Sequence, residues 1–242
     1  MSITLAELGE TELLDRLARF APAGQLNDDT ALLPPDSRAL LVNTDVMVEG
    51  VHFSAATTAA ADVGWRAVVA NLSDLAASGS EHVEGITVGL VAPGNTSWCW
   101  VEEVYQGISE ALERFGGTLL GGDCSNGSQR ILSVSAFARL GALRLHRAQA
   151  RPGDLLMSSG PHGLSRLGLA LLQGTALPTT LSLPSTLKKQ AIQCHQRPSP
   201  RFDALNTLLE CKPTNFPWRA GGTDSSDGLL ASVEALCRSS GC

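Results

Sequence analysis

Apolar residues recur along this chain with two different periods, and the switches between them outline its elements. Leu13, Leu14, Leu17 and Phe20 follow at helical spacing, Thr4-Leu5-Ala6-Glu7 ahead of them has the form of a capping box, and Pro22 ends the segment. Residues 39–44 are an apolar run that predicts a buried strand delivering Asp45 at its end. The spacing of Trp65, Val68, Val69, Leu72, Leu75 and Ala76 predicts a helix over 62–78 that carries Asp74 and stops at Gly79. Ile86, Val88 and Leu90 alternate as in a half-buried strand, which Pro93-Gly94 breaks. Val101, Val104, Ile108, Leu112 and Phe115 predict a helix from 97 to 115. Strands follow at 118–120, running into Gly121-Gly122-Asp123, and at 131–139. This alternation predicts one compact α/β unit.

At 141–154 the texture changes to Arg-rich turn residues ending in Arg151-Pro152-Gly153-Asp154, which places a domain boundary between 1–140 and 141–242. Beyond it come the apolar run Asp154-Leu155-Leu156-Met157 and helices at 163–173, 186–195 and 201–210. Gly221-Gly222-Thr223-Asp224-Ser225-Ser226-Asp227-Gly228 then opens a last helix. About two strands for four helices is too little sheet to cover them, so the second domain is expected to be an incomplete α/β domain, cut short.

Composition narrows the function. Apolar residues make up 43% and charged residues 17%, against a usual ~25%, with 24 glycines and 12 prolines, which excludes disorder and coiled coil. A net charge of −6 with no Lys/Arg block leaves nothing to neutralise a nucleic-acid backbone. No uncharged apolar segment reaches the roughly 18–20 residues of a membrane span, and no cationic stretch precedes an apolar one at the N-terminus. A cytoplasmic protein is expected. Its six cysteines include no Cys-x-x-Cys pair and read as reduced, non-ligating thiols. Cations divide as 15 Arg to 3 Lys, the first lysine being Lys188, and none follows a glycine. A Gly-x-x-x-x-Gly-Lys loop is therefore absent, as is any Gly-x-Gly fingerprint. A nucleotide would have to be held by another device.

Of twelve aspartates, seven sit in turns or at element ends among small residues: Asp28, Asp29, Asp45, Asp74, Asp123, Asp224 and Asp227. Any one of them is ordinary there, because Asp favours turns and helix starts. Seven together suggest a hard-cation site. Oxygen donors without His or Cys suit Mg²⁺, and no EF-hand string of ligands occurs. Without a lysine cradle, aspartate-bound Mg²⁺ would have to neutralise a polyphosphate, which predicts phosphoryl transfer dependent on several metal ions.

Seven ordered motifs then carry a family resemblance. They are Asn27-Asp28-Asp29-Thr30-Ala31; Asn43-Thr44-Asp45 with Val48-Glu49-Gly50-Val51-His52-Phe53; Asn71-Leu72-Ser73-Asp74-Leu75-Ala76-Ala77-Ser78-Gly79; Gly121-Gly122-Asp123; Arg151-Pro152-Gly153-Asp154; Arg197-Pro198-Ser199-Pro200-Arg201; and Asp224-Ser225-Ser226-Asp227-Gly228-Leu229. Together they resemble the thiamine-monophosphate kinases of the aminoimidazole-ribonucleotide-synthetase-like superfamily, over essentially the whole chain. The resemblance implies ATP-dependent phosphorylation of thiamine monophosphate to thiamine diphosphate by direct transfer with several Mg²⁺ ions. It implies an N-terminal ferredoxin-like-type α/β domain that forms a dimeric sheet or barrel in a homodimer, then a second α/β domain. Asp29, Asn43, Thr44, Asp45, Asp74, Asp123, Asp224 and Asp227 fall on its metal positions. Tyr105, Gly122, Arg147 and Ser226 fall on ATP contacts, and His52 on a contact to thiamine monophosphate.

Plainer readings stand beside these. Tyr105 lies on the apolar side of its helix and reads as packing, His52 as a half-buried loop histidine, and Arg147 as a solvated turn charge. Asn27 stands where the family usually has glycine, and asparagine is expected to keep a left-handed turn. Relatives continue past the helix after Asp227 into elements that help hold the thiamine moiety, so part of the acceptor pocket is expected to be missing. Two superfamily alternatives fall behind. A selenophosphate synthetase would need an N-terminal Cys and a nearby Lys, and the hydrogenase-maturation relative ends in a Pro-Arg-Ile/Val-Cys tail unlike Arg238-Ser239-Ser240-Gly241-Cys242. A truncated, non-catalytic paralogue that binds nucleotide or dimerises is the alternative from another class.

Overall fold

The computed structural model describes residues 3–175, 182–211 and 218–242. Its N-terminal part is a four-stranded sheet with two helices on one face. The strands are β1 (Leu40–Val48), β2 (Ser80–Ala92), β3 (Thr118–Asn126) and β4 (Ile131–Leu140), and the helices so far are α1 (Leu5–Leu17), α2 (Ala60–Ala77) and α3 (Trp98–Phe115). Strand order is β1-β4-β2-β3, with β4 antiparallel to both neighbours and β3 parallel to β2. Helices α2 and α3 are thus the two crossovers, and β4 enters the gap between β1 and β2. Its four-residue approach passes over the end of β2, where Gly127 N–H donates to the Ala92 carbonyl at 3.1 Å.

The core lies between this sheet and its two helices. Ile86, Val88 and Leu90 of β2 and Leu132, Val134 and Ala136 of β4 are buried against Val68 and Leu72 of α2 and Val101, Val104 and Ile108 of α3. Ser97 starts α3 by accepting from the Trp100 amide at 3.3 Å. The opposite face of the sheet is bare: Leu40, Val42 and Val46 are exposed on it. Among the described residues the sheet is open, with β1 and β3 as its edges, and does not close into a barrel.

After Leu140 come a 3₁₀ turn (Arg147–Gln149) and helices α4 (Leu164–Leu172), α5 (Ser185–Gln196), α6 (Phe202–Glu210) and α7 (Leu229–Ser240). The end of α5 is fastened to the first layer by Arg197. Its guanidinium donates to Asp62 at 2.5 Å and Glu110 at 2.6 Å and lies 5.2 Å from the centre of the Trp65 ring. Trp65 Nε1 donates in turn to the Pro198 carbonyl at 2.8 Å. The Arg197-Pro198 motif is therefore a clamp between layers.

Several expectations from periodicity are corrected. Among the described residues no strand follows Leu140, and the run at 154–157 is irregular, with Leu155 and Met157 exposed and no strand beside it to pair with. Strand β2 starts six residues before Ile86, because two register shifts let it absorb the polar stretch from Ser80 to Gly85. Strand β3 does not stop at Leu120 but runs through Gly121-Gly122 to Asn126. A Cβ on Gly122 would lie 2.0 Å from the Val88 carbonyl oxygen, so this glycine permits close approach and does not make a turn. Asp45 lies within β1, not at its end. Asn27 closes a short 3₁₀ turn, and the left-handed conformation falls on Gly24 instead (φ +79°).

Candidate active site

Three separate segments bring acidic side chains to the C-terminal end of α2. Along β1 the side chains alternate, so Asn43 and Asp45 share the half-buried face with Met47. Asp74 projects from the last turn of α2, and the Asn43 amide donates to its Oδ2 at 3.1 Å. The third segment is 219–228. Its Gly222 backbone presses on the end of α2, where a Cβ would lie 2.7 Å from both the Ala77 carbonyl oxygen and Leu145 Cβ. That contact admits no side chain, and it delivers Asp224 to the other two carboxylates.

Asp224 is tied down on all sides. Ser226 donates to its Oδ2 from both the hydroxyl (2.7 Å) and the amide (3.3 Å). Arg147 Nη2 donates to its Oδ1 at 2.9 Å, while Arg147 Nε donates to Thr223 Oγ1 at 2.8 Å. Burial pushes the Asp224 carboxyl up, but the Ser226 hydrogen bonds and the Arg147 guanidinium outweigh it and hold the group below its ordinary value. Asp74 goes the other way. Burial, with Asp224 and Asp45 as like charges, pushes it from 3.8 up to about 6 against the opposing Asn43 hydrogen bond. Asp45 is raised by burial and then by Asp224, with His52 opposing.

This electrostatic arrangement suits a cation. Asn43 Oδ1 is buried with no hydrogen-bond partner, beside carboxylates that repel one another. The donors are all hard oxygens, which fits Mg²⁺ with water or phosphate completing its shell. Among the described residues no three His, Cys, Asp or Glu side chains are gathered closely enough to hold an ion between them.

The remaining residues singled out in the sequence lie outside this group. The Thr44 hydroxyl is on the opposite face of β1, 2.7 Å from Ser135 Oγ, because alternation separates it from Asn43 and Asp45. Asp29 is exposed in the loop before β1, its amide bonded to Asp28 Oδ1 at 2.8 Å. Asp123 lies exposed on β3 and accepts from Ser125 Oγ at 3.2 Å, and Asp227 is exposed ahead of α7. Tyr105 is buried in the core with its ring 5.6 Å from Phe20, and burial pushes its hydroxyl far above the ordinary value, which accords with the plainer of its two readings, packing. His52 Nδ1 accepts from the Val48 amide at 3.0 Å, so the neutral ring carries its proton on Nε2. Thr223 and Gly222 were missed by motif reading. Their signal was the Gly221-Gly222-Thr223 run directly ahead of Asp224.

The Asp74 shift has a measurable consequence. Because the folded-state value of about 6 exceeds the ordinary 3.8, the folded protein binds the proton more tightly, and the metal-free fold loses stability as pH rises through that window. Cation binding needs the ionised form and so strengthens over the same range. Stabilisation by Mg²⁺, read as a thermal shift, should increase from pH 5 to 7, and Asp74→Asn should flatten that increase. An unchanged profile in the variant would remove Asp74 from the site.

Residues 27–140 match the family described as AIR synthase related protein, N-terminal domain. The thiamine-monophosphate kinase of Prochlorococcus marinus is 56% identical over 98% of this chain and 72% of its own length. A solved structure described as AaThiL complexed with AMPPCP and TMP superposes with a TM-score of 0.73 at 31% identity, covering 100% of this chain and 73% of that one. The hydrogenase maturation protein HypE of E. coli has the same fold, with a TM-score of 0.72 at 15% identity over 96% of this chain and 70% of its own.

Proposed function

The chain belongs to the thiamine-monophosphate kinase family, and from that premise we propose that it transfers the γ-phosphoryl group of ATP to thiamine monophosphate. A phosphate oxygen of the acceptor attacks the γ-phosphorus, the bond to the β,γ-bridging oxygen breaks, and thiamine diphosphate and ADP are the products. The observation that carries this reading is the Asn43–Asp74 hydrogen bond, with Asp45 and Asp224 near enough to raise Asp74, a buried unpartnered Asn43 Oδ1 beside it, and Arg147 paired to Asp224. The attacking phosphate oxygen is already anionic, so the chain needs to supply no general base. Its task is positioning and charge compensation.

Asn43, Asp45, Asp74 and Asp224 would hold Mg²⁺ in this reading, while Asp29, Asp123, Asp227 and Thr44, whose side chains lie apart from these four, are metal positions by family likeness alone. When bound, Mg²⁺ supplies charge neutralisation to the polyphosphate. Ser226 and Arg147 flank Asp224 and would donate to nucleotide phosphates, and Gly122 lets β3 approach Val88 of β2 closely beside Asp123. His52 offers its Nε2 proton to the acceptor. Residues 1–140 form the nucleotide-binding and dimerisation domain in this reading and 141–242 the C-terminal domain. The exposed Leu40, Val42 and Val46 on the bare sheet face support a homodimer. Among the described residues no helix is long and apolar enough to cross a membrane, in keeping with a cytoplasmic enzyme.

The test is direct. With ATP labelled at the γ-phosphate, Mg²⁺ and thiamine monophosphate, the purified chain should produce labelled thiamine diphosphate, and thiamine lacking its phosphate should accept no label. Release of inorganic phosphate alone, or nucleotide binding without transfer, would overturn the assignment.

A further inference from the structure

The turn that carries Arg147 is held by a residue that belongs to none of the sequence motifs. Ser240, the last residue of α7, donates its hydroxyl to the Arg147 carbonyl at 2.7 Å and accepts the Ala150 amide at 3.0 Å. One side chain therefore spans the 3₁₀ turn Arg147–Gln149, holding its first residue and the residue just past its last. A second restraint comes from Arg219, which donates to the Gln149 carbonyl and is itself held on Asp154 at 2.6 and 2.7 Å. From this fixed turn the Arg147 side chain reaches Thr223 and Asp224.

We infer that Ser240 is a positioning residue for the nucleotide site, setting through the backbone of the 147–150 turn where the Arg147 guanidinium stands beside Asp224. The inference rests on the proposed role of Arg147 as a nucleotide contact. In an Arg–Asp pair whose guanidinium is half exposed, the arginine is ordered weakly by the pair itself, because water competes for the guanidinium. Its geometry is therefore set by the backbone beneath it, and that backbone is closed by a hydroxyl 93 residues away in sequence. Removing the hydroxyl frees the Arg147 carbonyl and the Ala150 amide together. The guanidinium then samples positions away from Asp224, and nucleotide binding must reorder it. The acceptor, contacted elsewhere, is unaffected.

The experiment is a double-mutant cycle on affinity for Mg²⁺ with AMPPCP, measured by calorimetric titration on the whole chain, with KM and kcat for both substrates. Ser240→Ala should weaken nucleotide binding about fivefold and raise KM for ATP to match, leaving KM for thiamine monophosphate unchanged and kcat within twofold. Ser240→Thr should restore affinity, and Ser239→Ala, an exposed neighbour, should leave it unchanged. In an Arg147→Met background, Ser240→Ala should have no further effect. An equal loss in that background would show that Ser240 acts on the fold at large, and wild-type affinity in Ser240→Ala with weakened Arg147→Met would show that the turn holds without it; either overturns the inference alone. Wild-type affinity in Arg147→Met would overturn the reading of Arg147 and the inference with it.

Discussion

Replacing Asp45 with asparagine should give a folded protein that makes thiamine diphosphate at least a hundredfold more slowly. Asparagine keeps the shape of the side chain and removes its charge. If Asp45 were only a polar residue within β1, the change would alter stability by under about 1 kcal/mol and leave nucleotide handling intact. As a cation ligand its charge is needed where negative charge crowds during transfer. Losing such a group is worth roughly 3–4 kcal/mol of transition-state stabilisation, or 10²–10³ in rate. The structure adds a second, opposite sign. Asp45 and Asp224 both raise Asp74, so removing one like charge should lower the Asp74 value and leave the metal-free protein at least as stable at pH 8. Denaturation and turnover should therefore part company. Unimpaired turnover by the folded variant would refute the assignment.

The way this site is built explains which parts of it were legible in the sequence. Helix α2 and its inward residues follow from spacing alone, because a 3.6-residue period over 18 residues has few other readings. Strand β3 was truncated in that reading because Gly121-Gly122 has the composition of a turn. The glycine is needed by the neighbouring strand, and Val88 is not adjacent in sequence. Alternation along β1 already separates Thr44 from Asn43 and Asp45, so period-two reasoning could have divided that motif correctly. Motifs placed Asp74 and Asp224 in one functional set, but nothing in their spacing says that Gly222 docks on the end of α2 to bring them together. Ser240 lay beyond reach for the same reason. Its role depends on a hydrogen bond between the end of one helix and a turn 93 residues earlier.

The largest expected effect on the fold comes from a substitution that local propensity would favour. Gly107 lies within α3, where alanine is intrinsically better by about 1 kcal/mol, so a view from the isolated helix predicts that Gly107→Ala stabilises the protein. Packing predicts the reverse. A Cβ at Gly107 would lie 1.8 Å from the Ala61 carbonyl oxygen on α2, and a Cβ at Gly64 of α2 would lie 1.9 Å from the Val104 carbonyl oxygen on α3. The two helices thus meet backbone to backbone at two reciprocal points, and neither obstacle is a flexible side chain that could swing aside. Admitting the methyl group means separating α2 from α3, which loosens Val104 and Ile108 from the core and shifts the end of α2 that carries Asp74. A loss of about 3 kcal/mol or more follows, a large part of a typical total of roughly 5–15 kcal/mol. Urea denaturation of Gly107→Ala should show a midpoint lowered accordingly. Gly121→Ala, with nothing within 4 Å of its added carbon, should move the midpoint little. A midpoint raised by Gly107→Ala would mean that the helices are held apart in solution and that the close crossing is not what fixes Asp74 against β1.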